Sequence, residues 1–287
     1  MKAAEIIDKG DNLLQSVSGL DKTLYKTLTT FLSRNTVGGK IKILPEDLAI
    51  LEDLIYADIK DSDYEETMAK YLGLITALEN SISQEQASRN DLKVSTVKEL
   101  WRGNDLRNRL VDKIVYDLGA GGIKEYFVKG LSQAVREADY FNLTIEDAVG
   151  RLQKLLIDDS YTQSYLKNVA MDSLAQFDGA INDTVREAYG FDNLIYVTNT
   201  IETSRPFCIH LRDELKGKIT SEQLKQALNE YCPNGVPSEV RIKYTTHSGE
   251  VKTGKKGSGM IEGTRFDNFS QLRGGYGCRH RAIWVRK

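Results

Sequence analysis

The chain has 287 residues, 40% of them apolar and 28% charged, with a formal net charge of −2. That length exceeds one typical domain and the composition is that of an ordinary globular protein, while the longest mostly apolar run, Tyr71 to Leu78, falls far short of the roughly 20 residues needed to span a bilayer. Three cysteines, an odd number, describe no disulfide framework, so the thiols are expected to be free or on metal in a reducing cytoplasm.

The N-terminal Met-Lys-Ala-Ala-Glu-Ile-Ile-Asp stretch is not expected to be a secretory signal, because acid interrupts its apolar residues. Only Pro45 precedes residue 206, which favours long uninterrupted helices over the first two thirds. Ile6, Leu13, Leu14 and Val17, then Leu20, Leu24, Leu28 and Phe31, predict two helices before a break at Val37-Gly38-Gly39-Lys40. Pro45 suits the first turn of a third helix, with Leu48, Leu51, Ile55 and Ile59 on one face. Ser62-x-x-Glu65 has the form of a capping box and opens a helix through Met68, Leu72, Ile75, Leu78 and Ile82. The polar stretch from Ser83 to Asp91 reads as the exposed end of that helix or as a linker.

Further helices are expected at about 95–117, 122–139 and 144–157, with Gly119-Ala120-Gly121-Gly122 as the clearest break. Leu166, Ala170, Leu174, Phe177, Ile181, Val185 and Ala188 then trace one apolar stripe, a core seam or a partner-helix contact, which Gly190 stops. After Gly190 the character changes. Leu194–Thr198 reads as a strand, Thr220-x-x-Gln223 caps a short helix to about Tyr231, Val240–Thr245 and Glu250–Thr253 form a plausible hairpin, and Arg281–Val285 makes a final strand. The expected fold is mainly α, a helical region over 1–190 followed by a small α+β domain over 191–287. Charge divides similarly: residues from Asn193 onward hold 16 Lys+Arg against 9 Asp+Glu, and residues 1–192 hold 23 against 32. An acidic helical part thus carries a basic tail, suited to a polyanion or to an acidic partner surface, or to facing the other half of the chain.

Two tail stretches concentrate the chemistry: Thr203-Ser204-Arg205-Pro206-Phe207-Cys208-Ile209-His210 and Gly274-Gly275-Tyr276-Gly277-Cys278-Arg279-His280. In this order, behind a strand and before a strand, they resemble the C-terminal domain of the phage Mu F-like minor head proteins, the phage head-morphogenesis family. The resemblance covers about residues 190–287. The spacer between the elements is longer here than in many members and carries an extra basic hairpin, and His210 has no clear counterpart. The resemblance implies a protein present in several copies per virion, near the portal vertex of the capsid, made in the bacterial cytoplasm. Its implied partners are the portal or major capsid protein, with DNA as a further candidate and no membrane.

Cys208, His210, Cys278 and His280 make a Cys2His2 set suited to tetrahedral zinc, since alternate residues of an extended segment point to one side. The same residues are equally readable as buried packing cysteines with capped or exposed histidines, or as a Cys208–Cys278 disulfide formed after lysis. Arg205 and Arg279 suit bidentate structural bonds or phosphate binding, and Gly274 and Gly275 with Gly277 suit a tight turn or an anion cradle. Arg241, Lys243, Lys252, Lys255, Lys256 and Arg265 form the best DNA-binding candidate, with a solvated hairpin as the alternative. No catalytic set is expected. The rival is a metal-dependent nuclease acting during DNA packaging, built from His210, His247 and His280 with Asp213 or Asp267, although no compact nuclease motif occurs. A Cys208–His280 nucleophile pair would lack any nameable orienting group.

Overall fold

The computed structural model of the chain describes residues 2–15, 19–197, 204–245, 251–273, 278 and 280–287. The fold is mainly α with small antiparallel sheets. Helices α1 (Ala3–Gln15) and α2 (Leu20–Arg34) lead to a hairpin of β1 (Thr36–Val37) and β2 (Lys40–Ile41). Gly38 and Gly39 both take positive φ, 59° and 76°, as a two-residue hairpin turn of this kind requires. Then come α3 (Pro45–Lys60), α4 (Tyr64–Asn90), α5 (Val94–Arg102), α6 (Asp105–Leu118), α7 (Ala120–Gly122), α8 (Lys129–Tyr140), α9 (Ile145–Gln153) and α10 (Tyr161–Tyr189). The tail holds β3 (Asn193–Val197), α11 (Pro206–Ile209), β4 (Lys218–Thr220), α12 (Ser221–Tyr231), β5 (Glu239–Thr245), β6 (Val251–Gly257), α13 (Phe269–Leu272) and β7 (Arg281–Val285).

Contacts divide the chain into two compact units. One comprises Asp8–Leu74 and Val111–Met171; the other comprises Met1–Ile7, Ile75–Leu110 and Asp172–Lys287. The division therefore does not fall at residue 190. Each crossing lies inside a helix, and the tail shares its unit with the later halves of α4 and α10. Packing decides this, because the tail strands alone have too little apolar surface to enclose a core.

In the first unit α2, α3, α8 and α9 pack around Leu24, Leu28, Leu32, Leu51, Ile55, Leu131 and Leu152, all buried. Pro45 occupies the first turn of α3 and Thr144 caps α9 through Asp147 N at 3.2 Å. Buried Asp21, on α2, accepts from Thr162 N at 3.1 Å, so one helix caps the first turn of another. Ser62 accepts from Tyr64 N at 3.2 Å, two residues on, and α4 starts at Tyr64; the expected reciprocal bonds with Glu65 are replaced by this shorter turn.

In the second unit every residue of α10 from Phe177 to Arg186 is buried. A helix buried on all sides must pair its polar groups internally, and this one does so densely. Asn182 donates to the Asp178 carbonyl at 2.7 Å and accepts from Gln86. Gln86 accepts from Asn90 Nδ2 at 2.7 Å, and Asn90 reaches Trp284 O and Arg286 N on and beside β7. The polar stretch 83–91 is therefore neither a linker nor an exposed end. It continues α4, with Ser83, Gln86, Ala87 and Asn90 turned inward. Similarly, the span 95–117 is two helices: Asn104 breaks it and caps α6 by accepting from Leu106 N at 2.9 Å.

The tail sheet has strand order β4-β3-β7, antiparallel throughout, with Leu194 opposite Trp284 and Tyr196 opposite Ala282. Strand β4 was not evident in the sequence. Thr220 and Gln223 form the expected reciprocal cap, at 3.2 and 2.9 Å. Strands β5 and β6 pair from Glu239↔Gly257 to Thr245↔Val251, so the second strand of the hairpin runs past the expected Thr253 to Gly257. Gly179 permits the closest approach of the unit: a Cβ there would lie 1.9 Å from Ser270 O on α13.

Candidate functional site

Three elements of the tail unit bring the site together. Strand β3 carries Tyr196, whose alternating register turns Leu194 and Tyr196 into the core. Helix α11 starts with Pro206 in its first turn behind extended Arg205, the conformation a following proline favours, and this aims Cys208 inward. Cys278 and His280 come from the segment entering β7.

Cys208 Sγ and Cys278 Sγ are 3.9 Å apart, although 70 residues separate them. Tyr196 Oη lies 3.5 Å from the first sulfur and 3.6 Å from the second. His280 Nδ1 is 3.6 Å from Cys278 Sγ, and its ring stacks on Tyr196 with centroids 4.9 Å apart and planes 2° from parallel. Cys208 and His280 are buried and Cys278 is half-buried. The donor atoms of Cys208, Cys278 and His280 lie within 4.8 Å of one another. The thiols share charge unevenly. A hydrogen bond from Cys208 holds the Cys278 thiol well below its ordinary range against the pull of burial, with His280 and Tyr196 assisting. That same contact, with burial, pushes Cys208 up. Burial first, and then the two cysteines, raises Tyr196 well above the usual phenol range.

His210 does not join them. Residues 206–214 are helical rather than extended, with a π-helical turn at His210–Glu214, so a residue two positions on from Cys208 points to a different side. His210 Nδ1 instead meets Glu214 Oε2 at 2.6 Å, and its ring lies 5.3 Å from that of Tyr231. Among the described residues the candidate metal-binding set is thus Cys208, Cys278 and His280. Asp213 and Asp267 are exposed and outside it, and His247 lies outside the described residues.

Beside the sulfur cluster lies an ionic knot. Asp178, fully buried, takes a bidentate pair from Arg281 at 2.8 and 3.1 Å and a third bond from Arg273 at 2.7 Å. Arg281 also reaches Glu85 at 2.8 Å, and Glu85 bonds Arg89 as well, at 3.0 Å. Burial pushes the Asp178 carboxyl up, but Arg281 and Arg273 outweigh it and hold the group below the ordinary carboxylate range. Arg273 donates further to Ser270 O and His280 O, each at 2.8 Å, which fixes the backbone of the sulfur cluster. Arg273 and Arg281 thus have structural roles, and the motifs single out neither. Arg279, Gly274 and Gly275 lie outside the described residues. Arg205 lays its aliphatic stem against Gly259.

Of the basic candidates, Arg265 is exposed. Arg241, Lys243, Lys252, Lys255 and Lys256 all belong to the β5–β6 ribbon, with Arg241 opposite Lys255 and Lys243 opposite Thr253; their side chains lie outside the described part. No described helix is long and apolar enough to cross a membrane. Comparisons with family models, with curated proteins and with solved structures give no match, so the likeness to the Mu F-like proteins rests on the two tail elements themselves.

Proposed function

We propose that this chain is a minor head protein of a bacteriophage or prophage, acting in head morphogenesis by binding rather than by catalysis. The observation that carries this reading is the meeting of the two family-like elements: Cys208 and Cys278, 70 residues apart, come within 3.9 Å. Elements joined in this way behave as one built module, framed by β3 and β7 and tied to Asp178 by Arg273 and Arg281. The acidic helical part docks on portal or major capsid subunits, and the basic ribbon with Arg265 faces packaged DNA or an acidic neighbour. Several copies would sit at the portal vertex of the virion.

Co-expression with the portal and major capsid proteins of the same genome, followed by sedimentation of the assembled heads, tests this. The chain is expected to travel with heads or portal rings. Failure to associate with either would overturn the reading. Metal-stimulated cleavage of plasmid DNA, abolished by His280→Ala, would replace it with a packaging nuclease.

A further inference from the structure

We propose that Cys208, Cys278 and His280 hold a zinc ion, with the Tyr196 hydroxyl at its fourth corner. Tetrahedral zinc has bonds of about 2.3 Å to sulfur and about 2.0–2.1 Å to nitrogen or oxygen. These lengths set ligand–ligand edges of about 3.8 Å for S···S, about 3.6 Å for S···N and about 3.5 Å for S···O. The structure has 3.9 Å between the sulfurs, 3.6 Å from Cys278 to His280 Nδ1, and 3.5 and 3.6 Å from the sulfurs to Tyr196 Oη. Four of the six edges of such a tetrahedron are therefore already formed.

A second observation points to a ligand. His280 is only 6% exposed, and among the described residues its Nδ1, the nitrogen placed at the ion, has only the Cys278 sulfur beside it. A buried imidazole with so little to satisfy it is costly unless a nitrogen lone pair is used. Soft thiolates with one imidazole select zinc over magnesium or calcium. Charge also closes: Cys208 and Cys278 bind as thiolates, any remaining Sγ–H proton leaving to solvent, while His280 donates as neutral imidazole and Tyr196 keeps its proton. Two thiolates and Zn²⁺ then sum to zero inside a buried site. With all four corners supplied by the protein, no position remains for a reactive water, so the ion is structural. It would staple β3, α11 and the entry to β7, and its binding energy would add to folding.

The test uses the full-length chain purified under reducing conditions, with zinc measured by elemental analysis and Co²⁺ substituted as a spectroscopic probe. About one zinc per chain is expected, with protons released on binding and the half-buried thiol of Cys278 protected from alkylation by the metal. Cobalt should give intense tetrahedral d–d bands and a thiolate charge-transfer band. Cys208→Ser, Cys278→Ser and His280→Gln should each abolish these signals, and His210→Ala should leave them intact. Tyr196→Phe should weaken affinity and change the cobalt spectrum, because it opens one corner of the tetrahedron. Absence of bound zinc with freely reactive thiols, a Cys208–Cys278 disulfide indifferent to zinc, or loss of metal in His210→Ala would each overturn the proposal. Should the cysteine variants fail to fold, the wild-type cobalt spectrum with His210→Ala and Tyr196→Phe still decides. The outcome is independent of head assembly, which sedimentation reads separately.

Discussion

Two polar clusters lie against β7, and they solve burial in opposite ways. The knot of Asp178, Arg273, Arg281 and Glu85 contains its own counter-charges, and its hydrogen bonds run from 2.7 to 3.1 Å. The cluster of Tyr196, Cys208, Cys278 and His280 instead offers donors converging on one another, with no carboxylate or guanidinium among them. The contrast teaches that burial of polar groups has two stable solutions: internal neutralisation, or donors arranged for an ion from outside. Arg273 joins the two by bonding both Asp178 and the His280 carbonyl.

Removing a counter-charge from the self-contained cluster should have the largest effect. Asp178→Ala leaves buried Arg273 without its carboxylate and takes from Arg281 one of its two, and is expected to cost about 3–5 kcal/mol in denaturant unfolding. A loss under 1 kcal/mol would mean that the knot is solvated. Since its carboxyl is held below the ordinary range, Asp178 contributes stability at neutral pH that fades as pH falls through its depressed pKa.

Asp183 sharpens the comparison because it is a buried carboxylate without a full counter-charge. Burial pushes its pKa up to about 7 despite bonds from Ser270 and Trp284 and the nearby Arg186. The folded protein thus holds a proton that the unfolded chain releases, and stability should fall as pH rises from about 4 to about 7, by on the order of 2–4 kcal/mol. Asp183→Asn should remove that slope from the stability–pH profile. Parallel profiles for wild type and variant would show that Asp183 is ionised throughout.

Gly179→Ala probes the packing beneath the knot. A methyl group 1.9 Å from Ser270 O must drive α10 and α13 apart, at a cost of about 1–3 kcal/mol by thermal or denaturant unfolding. The smallest effect belongs to the other cluster. In metal-free, reduced protein, Cys208→Ala should cost only about 1 kcal/mol, as for a small buried apolar side chain. Added zinc should raise the Tm of the wild type and leave that of Cys208→Ala unchanged. Equal responses would place the metal elsewhere.

Much of the local structure was legible in the sequence. Pro45 and the Thr220–Gln223 cap mark helix starts, Gly190 takes the positive φ that stops α10, and Leu166, Leu174, Phe177, Ile181 and Val185 lie on its buried face. Ala188, the last step, is exposed, because the surrounding core ends at Arg186. The two cysteines were also visible as a pair. Tyr196 was not, because its role depends on which strand lies opposite and what enters β7.

Backbone preference and apolar spacing act over a few residues, so the sequence by itself determined most of the helices, the Thr220 cap and the strands of the tail other than β4. Tertiary structure alone decided that α4 and α10 complete the tail unit and that the polar stretch around Gln86 and Asn90 turns inward. It also decided that Asp178 meets Arg273 and Arg281. Those outcomes depend on where charges and donors end up relative to one another across 95 or more residues of chain, and burial makes each unpaired alternative too costly to persist. His210 shows the same rule at short range: its place in Cys-x-His gave it an expected partner, and one turn of helix gave it Glu214.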